Sequence, residues 1–509
     1  MKSAMACASL LYAGLSFVAA QQQGPGDGKN PEVVQVGAPA QFSGIRQEIS
    51  TRVTKGEFPS FAVGVIQGRS IVWAQTLGWS DREGHIAAKP TTAYGLASLG
   101  KSITATAVMT LVKQGKASLE QAAEKMIEPD HLTIYEASAE GPTLRQLLNM
   151  TSGIPHGALT YTRPEIAAGI TDEQVLKNRA LVVFPPGQVF HYSNFSIAVA
   201  QRVIERISGL SFGAYLSRAV FQPLGMEQSF LAPNNTREAA QAVRYDDEGK
   251  RVGFLCPFPR SSRGIWASLD DLLSYAFFNL KCPQRGQTSI LDSASVDALH
   301  NARATLPGSH IALGWGSVDL RDGSRWVVSD DRDIGVQSVL SIIPSAKVAV
   351  ICLTNVSGNQ VDEISLRIAD VLVPGFAAQA AAAMQAIEAA EAAPFKPSDP
   401  WFGNSRGTLK SSAGELPIEM IFERNGDIKV SIHDQYPTLM SEPRFSYGLL
   451  SGALLGKVPL EEKPSHYHRL ELCLRFDHDR LYGFAFTNFS NDRGQFEIPT
   501  YVALKHISH

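Results

Sequence analysis

Cysteine is scarce in this chain: there are five in 509 residues, and no two stand as Cys-x-x-Cys. That spacing is what zinc ribbons and dithiol redox centres use, so neither chemistry is indicated. Cys7 belongs to the N-terminal stretch. Cys352 falls in the apolar run VAVICLTN and Cys473 in the alternating run LELCLRF, so both read as strand thiols. Cys256 and Cys282 flank a helical pattern and are the one candidate disulfide, given an oxidising compartment. A basic block is also missing, and the formal net charge is only −3. Nothing therefore points to nucleic acid or an anionic membrane as a partner. The chain has no long internal repeat, and after the N-terminus no apolar run long enough for a transmembrane helix.

What is present is the composition of a well-cored globular protein, 44% hydrophobic and 19% charged, with length for two or three domains. The stretch MKSAMACASLLYAGLSFVAAQQQ places Lys2 before an apolar run, Ala4 to Ala20, and ends it on Val18-Ala19-Ala20. This reads as a signal peptide over residues 1–20, with a secreted protein and no membrane span after its removal. Residues 21–42 read as a flexible, polar Gly/Pro-containing leader. Sequons at Asn149, Asn234, Asn355 and Asn488 are candidate glycosylation sites.

Phe61 to Ala74 reads as a hairpin turning at Gln67-Gly68-Arg69. From Ser98 to Gln114, Leu99, Ile103, Ala107, Val108, Leu111 and Val112 recur at helical spacing, and Gly115 supplies the stop. Helical patterns continue to about residue 280. Strands return near Trp326–Val328 and Ser338–Leu353, separated by a polar loop. Strands at both ends with helices between predict an α/β (α+β) sandwich whose sheet is completed by the returning chain. Residues 376–396 form an alanine-rich helical linker. In 397–509 short alternating strands predict a small barrel-like all-β domain, with Leu470, Leu472, Leu474 and Phe476 on one face. Its aromatic residues read as barrel core.

Ser98-Leu99-Gly100-Lys101 stands at the start of the clearest helix. Residues i and i+3 share a helical face, so the Lys101 amine reaches the Ser98 hydroxyl. The helix N-terminus favours negative charge, and a desolvated lysine is neutral enough to take a proton. Gly209-Leu210-Ser211-Phe212-Gly213 fits a second nucleophile pattern, Gly-x-Ser-x-Gly. That pattern needs a strand before it, whereas SIAVAQRVIERI is helical in period, so it reads as a helix-to-helix turn. His191 reads as a packed or cleft-lining side chain. His466 and His468 share a strand face without a third metal ligand nearby.

Ser98 and Lys101 have company in a telling order: TLRQLLNMTSGIPHG at 143–157, Pro185-Pro186-Gly187, Tyr192-Ser193-Asn194 and Pro223-Leu224-Gly225-Met226. The arrangement resembles the serine β-lactamase and penicillin-binding-protein family, nearest to class C β-lactamases and their esterase and D-aminopeptidase relatives. It covers roughly residues 42 to 370, and Trp401-x-Gly403 resembles the opening of β-barrel modules appended to some members. The resemblance implies a catalytic domain over 43–375, with an antiparallel sheet flanked by helices and an all-helical subdomain. It makes Ser98 the acylated nucleophile, Lys101 its base and Tyr192 a second proton carrier with a lowered pKa. Asn194 would point into the cleft, which should leave its own sequon unmodified. No metal or cofactor is implied.

The family's third motif, Lys-Thr-Gly or His-x-Gly, is replaced by Ser329-Asp330-Asp331. The backbone N–H near Arg332 remains to complete an oxyanion hole with that of Ser98. A substrate carboxylate would meet Asp330 and Asp331 rather than a cation, which argues against penicillins or D-peptides as substrates unless the Arg332 or Arg325 side chain compensates. The first expectation is a secreted serine hydrolase acting on a small-molecule or short-peptide ester or amide. The alternatives are an acyltransferase of secondary metabolism, and a non-catalytic binding or sensor protein that keeps the fold.

Overall fold

Alternation along the strand Ser60–Gln67 builds two cores at once. Ala62 and Ile66 face one way, and Phe61, Val63 and Val65 the other; all five are buried. Strands covered on both faces carry apolar residues at successive positions rather than every second one. Val336–Ile343 and Val348–Thr354 follow the same logic and are buried throughout. The computed structural model describes residues 32–136, 140–233, 241–284, 287–306, 308–358, 360–392, 394–396, 401–411, 413–460 and 467–507. The signal-peptide segment, residues 21–31 of the leader, Asn234 and His466 lie outside the described residues, whereas Glu32–Val36 of the leader expected to be flexible is an edge strand of the main sheet.

The main antiparallel sheet runs Glu32–Val36, Ser70–Asp81, Ser60–Gln67, Val348–Thr354, Val336–Ile343, Arg325–Asp333 and Gly316–Asp319. The hairpin at Gly68-Arg69 closes with Gln67 opposite Ser70. One sheet face packs on the helices Ser43–Thr54 and Val361–Leu372, the other on Gly100–Lys113 and Leu269–Asn279. Gly64 permits the last contact, since a Cβ there would lie 2.9 Å from Leu269 Cδ1. The helical subdomain includes Leu144–Leu148, Asp172–Arg179 and Asn194–Ser208. Capping boxes at Thr143 and Thr171 start the first two, and Ser193 caps the third. Gly209, in the left-handed region, ends that helix, and Ser211 caps the next, so the Gly-x-Ser-x-Gly stretch is a helix-to-helix turn.

The C-terminal strands, Gly403–Ser411 through Gly494–Ile507, form a nearly closed barrel-like sheet. Leu470, Leu472 and Leu474 point into its core. The sheet continues into the catalytic body, because Gly494–Glu497 pairs with Ala158–Tyr161, which pairs with Cys256–Phe258. Tyr135 also stacks on Tyr501 at 4.1 Å, and Phe184 packs on Tyr482 and Phe484. Among the described residues no helix is long and apolar enough to cross a membrane.

Several expectations are corrected. The polar stretch Ser329–Asp333 is strand, paired residue by residue with Val336–Leu340. The hairpin is tight because Gly335 takes φ +67, leaving no room for a loop. The run Ser338–Leu353 is two strands broken by a turn at Pro344-Ser345-Ala346. The alanine-rich helix, Phe376–Glu391, is more than a connector, because Phe376, Ala380 and Met384 are buried against the main sheet's core. Asn149 and Asn355 are not glycan acceptors in the fold. Asn149 is buried and bonded to Thr151, and Asn355 is buried with its amide tied to Ser60 and Val243. Both side-chain polar atoms of Asn488 are likewise buried.

No disulfide joins Cys256 to Cys282; both are free thiols. Cys256 is held in a strand beside Tyr161, whereas Cys282 follows the far end of the helix Leu269–Asn279. Burial pushes the Cys256 thiol up to about 11 and that of Cys473 to about 12, and it raises Cys352 as well. Among these four, Cys282 is therefore expected to react first with a neutral-pH thiol reagent in the native protein. Peptide mapping after a short alkylation pulse checks this. Prior labelling of Cys256 would contradict the buried assignment.

Candidate active site

The nucleophile turn is held before the helix begins. Leu96 N–H donates to Ile265 O, and Ser338 Oγ donates to Leu96 O at 2.7 Å. Ala97 then takes φ +45, a strained choice for a residue with a Cβ, costing about 1–3 kcal/mol. The strain turns Ser98 into a 3-10 turn, Ala97–Leu99, ahead of the helix Gly100–Lys113. Ser98 therefore precedes the helix that the apolar spacing suggested it begins.

Lys101 Nζ donates to Ser98 Oγ at 2.5 Å, and the lysine is only 2% exposed. Burial lowers its pKa to about 7, against the opposing charge of Asp331 and with help from the Arg263 cation. Nζ also lies 4.8 Å from the centre of the Tyr192 ring, and the Tyr192 hydroxyl is hydrogen-bonded to Ser98. The expected lowering of the Tyr192 pKa is overturned. Burial and the charge of Asp331 push the phenol well above its ordinary range, outweighing the bond to Ser98 and the nearby Arg263. Tyr192 is thus a phenol, able to donate a proton but not to act as a resting phenolate.

Asn194, at the first residue of its helix, donates to Gly157 O at 3.1 Å, and its Oδ1 is buried without a partner. Arg332 departs from expectation. Its guanidinium lies 2.7 Å from Asp362 on the helix Val361–Leu372, so it is committed to that pair rather than offered to a substrate. Arg325 is likewise held, by Asp319 and Asn301. Asp330, two residues before Arg332 on the same strand, is kept well above the usual carboxylate range by burial and by Asp362.

Arg263, unremarked in the sequence, lines the cleft. It pairs with Asp333 at 2.7 Å and donates to Thr160 at 3.2 Å. The barrel supplies the opposite wall. A cavity of about 990 Å³ lies between Ser98, Asn194, Arg263 and Asp331 on one side and Phe484, Phe486 and Glu497 on the other. Glu497 faces His156 at 3.3 Å, and His191 meets the Phe484 ring edge-on. Burial, with the nearby His156, lowers the His191 pKa to about 3, so it is neutral and lines the cleft. No local motif marks the barrel residues; only their shared alternation along two strands would have suggested a common face. Among the described residues no three His, Cys, Asp or Glu side chains are grouped as metal ligands.

The Beta-lactamase family model matches residues 45–373. Protein flp of Staphylococcus aureus is 24% identical over 269 residues, covering 49% of this chain and 51% of its own length. A D-aminopeptidase of Brucella anthropi is 27% identical over 231 residues, covering 43% of this chain and 42% of its own. The chain thus spans about half the length of the curated relatives it matches. Among solved structures, the octameric penicillin-binding protein homologue from Pyrococcus abyssi superposes with a TM-score of 0.55 at 19% identity. The match covers 89% of this chain and 99% of that one.

Proposed function

This chain belongs to the beta-lactamase family, and on that premise we propose that it hydrolyses an ester or amide through an acyl-enzyme on Ser98. One observation carries the reading: a buried amine with a pKa of about 7 lies 2.5 Å from a serine hydroxyl at the floor of a large cleft. Neutral Lys101 takes the Ser98 proton as Oγ attacks the substrate carbonyl carbon. The Tyr192 phenol passes its proton to the leaving group and regains one from protonated Lys101. Water then adds to the ester carbon as neutral Lys101 takes one of its protons, and that proton returns to Ser98 Oγ as the acid departs. The Asn194 Oδ1, buried and unpaired, suits an N–H of the acyl donor.

Reaction with a fluorophosphonate tests the nucleophile directly. The wild-type protein is expected to gain one phosphonyl group by intact mass, on the peptide carrying Ser98, and Ser98→Ala to gain none. Labelling that survives in Ser98→Ala would end the assignment.

A further inference from the structure

The backbone N–H of Ser98 and that of Arg332 both end on one side chain. Asp331 Oδ2 accepts from Ser98 N at 2.7 Å, and Asp331 Oδ1 accepts from Arg332 N at 2.7 Å. These are the two donors a carbonyl oxygen needs when it becomes an oxyanion. We propose that Asp331 is a built-in oxyanion that occupies this hole and holds the site in a self-inhibited state, so that an acyl donor must displace it before Ser98 can react. The proposal rests on the serine-hydrolase reading.

Three features support it. The two N–H groups end on the two oxygens of one carboxylate, so both donors are taken up by the same side chain. Both contacts are charge-assisted and short, the stronger class of hydrogen bond. The residue is also held from behind: Asp331 lies in the strand Arg325–Asp333 opposite Ser338, which itself bonds the nucleophile turn. The charged groups around the carboxylate are Lys101, Arg263 and Arg332, with Asp330 and Asp333 on the same strand and Asp362 on the helix Val361–Leu372. Arg332 is paired with Asp362 and Arg263 with Asp333, so each cation already holds a carboxylate other than Asp331. A second negative charge developing on a substrate oxygen beside this carboxylate is repelled as well as left without donors. Glycine at position 331 would leave both N–H groups to the substrate.

The phosphonylation of Ser98 reads the hole, because the phosphoryl oxygen must enter it. In the balanced step Oγ bonds to phosphorus, fluoride leaves, and the Ser98 proton passes to Lys101. Second-order rates are compared for wild type, Asp331→Gly, Asp331→Asn and Ser98→Ala. Removing Asp331 also removes a charge that raises the Lys101 pKa. Rates are therefore read on the plateau near about pH 9, where Lys101 is neutral in every protein. The expected result is an increase of about 100-fold for Asp331→Gly, the scale of oxyanion-hole effects, and a smaller one for Asp331→Asn. Equal plateau rates in wild type and both variants overturn the self-inhibited state and leave the hydrolase reading intact. Slower reaction in folded variants, judged by an unchanged melting temperature, also overturns it and makes Asp331 a productive group. If Asp331→Gly does not fold, Asp331→Asn decides. No adduct in any of the four proteins overturns both readings.

Discussion

Replacing Lys101 with methionine should slow Ser98 phosphonylation about a thousandfold, while the folded protein becomes more stable at neutral pH. The first effect follows from the lysine's role. A positioned general base contributes about 10²–10⁴-fold, and Lys101 is the amine within hydrogen-bond reach of Ser98 Oγ. Only the neutral amine takes a proton, so the wild-type rate should rise with pH through about 7 and level above it. Lys101→Arg, charged at every accessible pH, should be as slow as Lys101→Met. The second effect follows from the same lowered pKa. A lysine whose folded pKa lies below its unfolded value opposes folding; the penalty is full below about pH 7 and fades as pH rises toward 10.5. A shift of that size is about 5 kcal/mol, and methionine fills similar volume without it. Urea titrations at pH 6 and pH 10 check this, because the gain should shrink at the higher pH. Equal stability at both values, or a variant that still reacts with a midpoint near 7, would remove Lys101 from the role of base.

The chemistry of this site was legible in the sequence where it is local. Ser98 and Lys101 are three residues apart, and their contact needs only one turn of backbone to form. Tyr192 and Asn194 share a triplet ahead of a helix, and Ser193 between them caps it. The sandwich was legible too, since strands and helices each declare their period. What failed depended on burial or on distant chain. Proximity to a lysine suggested a lowered Tyr192 pKa, yet burial and Asp331 reverse the sign. Arg332 looked like a free cation, but Asp362 on a later helix takes it. Ser329–Asp333 looked like a loop because it is polar, although Val336–Leu340 pairs with all of it. The barrel's hold on the cleft includes the pairing of Gly494–Glu497 with the edge at Ala158–Tyr161, and such pairing across more than three hundred residues has no local signature.

Arg263→Met should lower stability by about 3 kcal/mol while moving the activity profile to higher pH. Breaking one side of a nearly buried ion pair costs about 3–5 kcal/mol, because the partner is left charged in a poor environment. The pair here is Arg263 with Asp333, 2.7 Å apart and each about one-tenth exposed. The low end applies because Asp333 keeps the charge of Arg244 and the N–H of Ile334, which donates at 2.8 Å. Burial alone would raise the Asp333 pKa; Arg263, Arg244 and that N–H together hold it below its ordinary value. Its stabilising contribution is therefore present above the unfolded carboxylate range and lost as pH falls through the folded value. The variant should lose part of it, so its stability deficit should narrow under acid conditions. The activity shift has the opposite source. The Arg263 cation repels a proton on Lys101, and without it the lysine pKa rises, so a higher pH is needed for the neutral amine. Reaction at pH 7 should slow, while the plateau near about pH 9 should be largely kept. Chemical denaturation and a pH–rate profile with the fluorophosphonate measure the two effects separately. A profile that does not move, or moves toward acid, would show that Arg263 serves the fold alone and leaves Lys101 untouched.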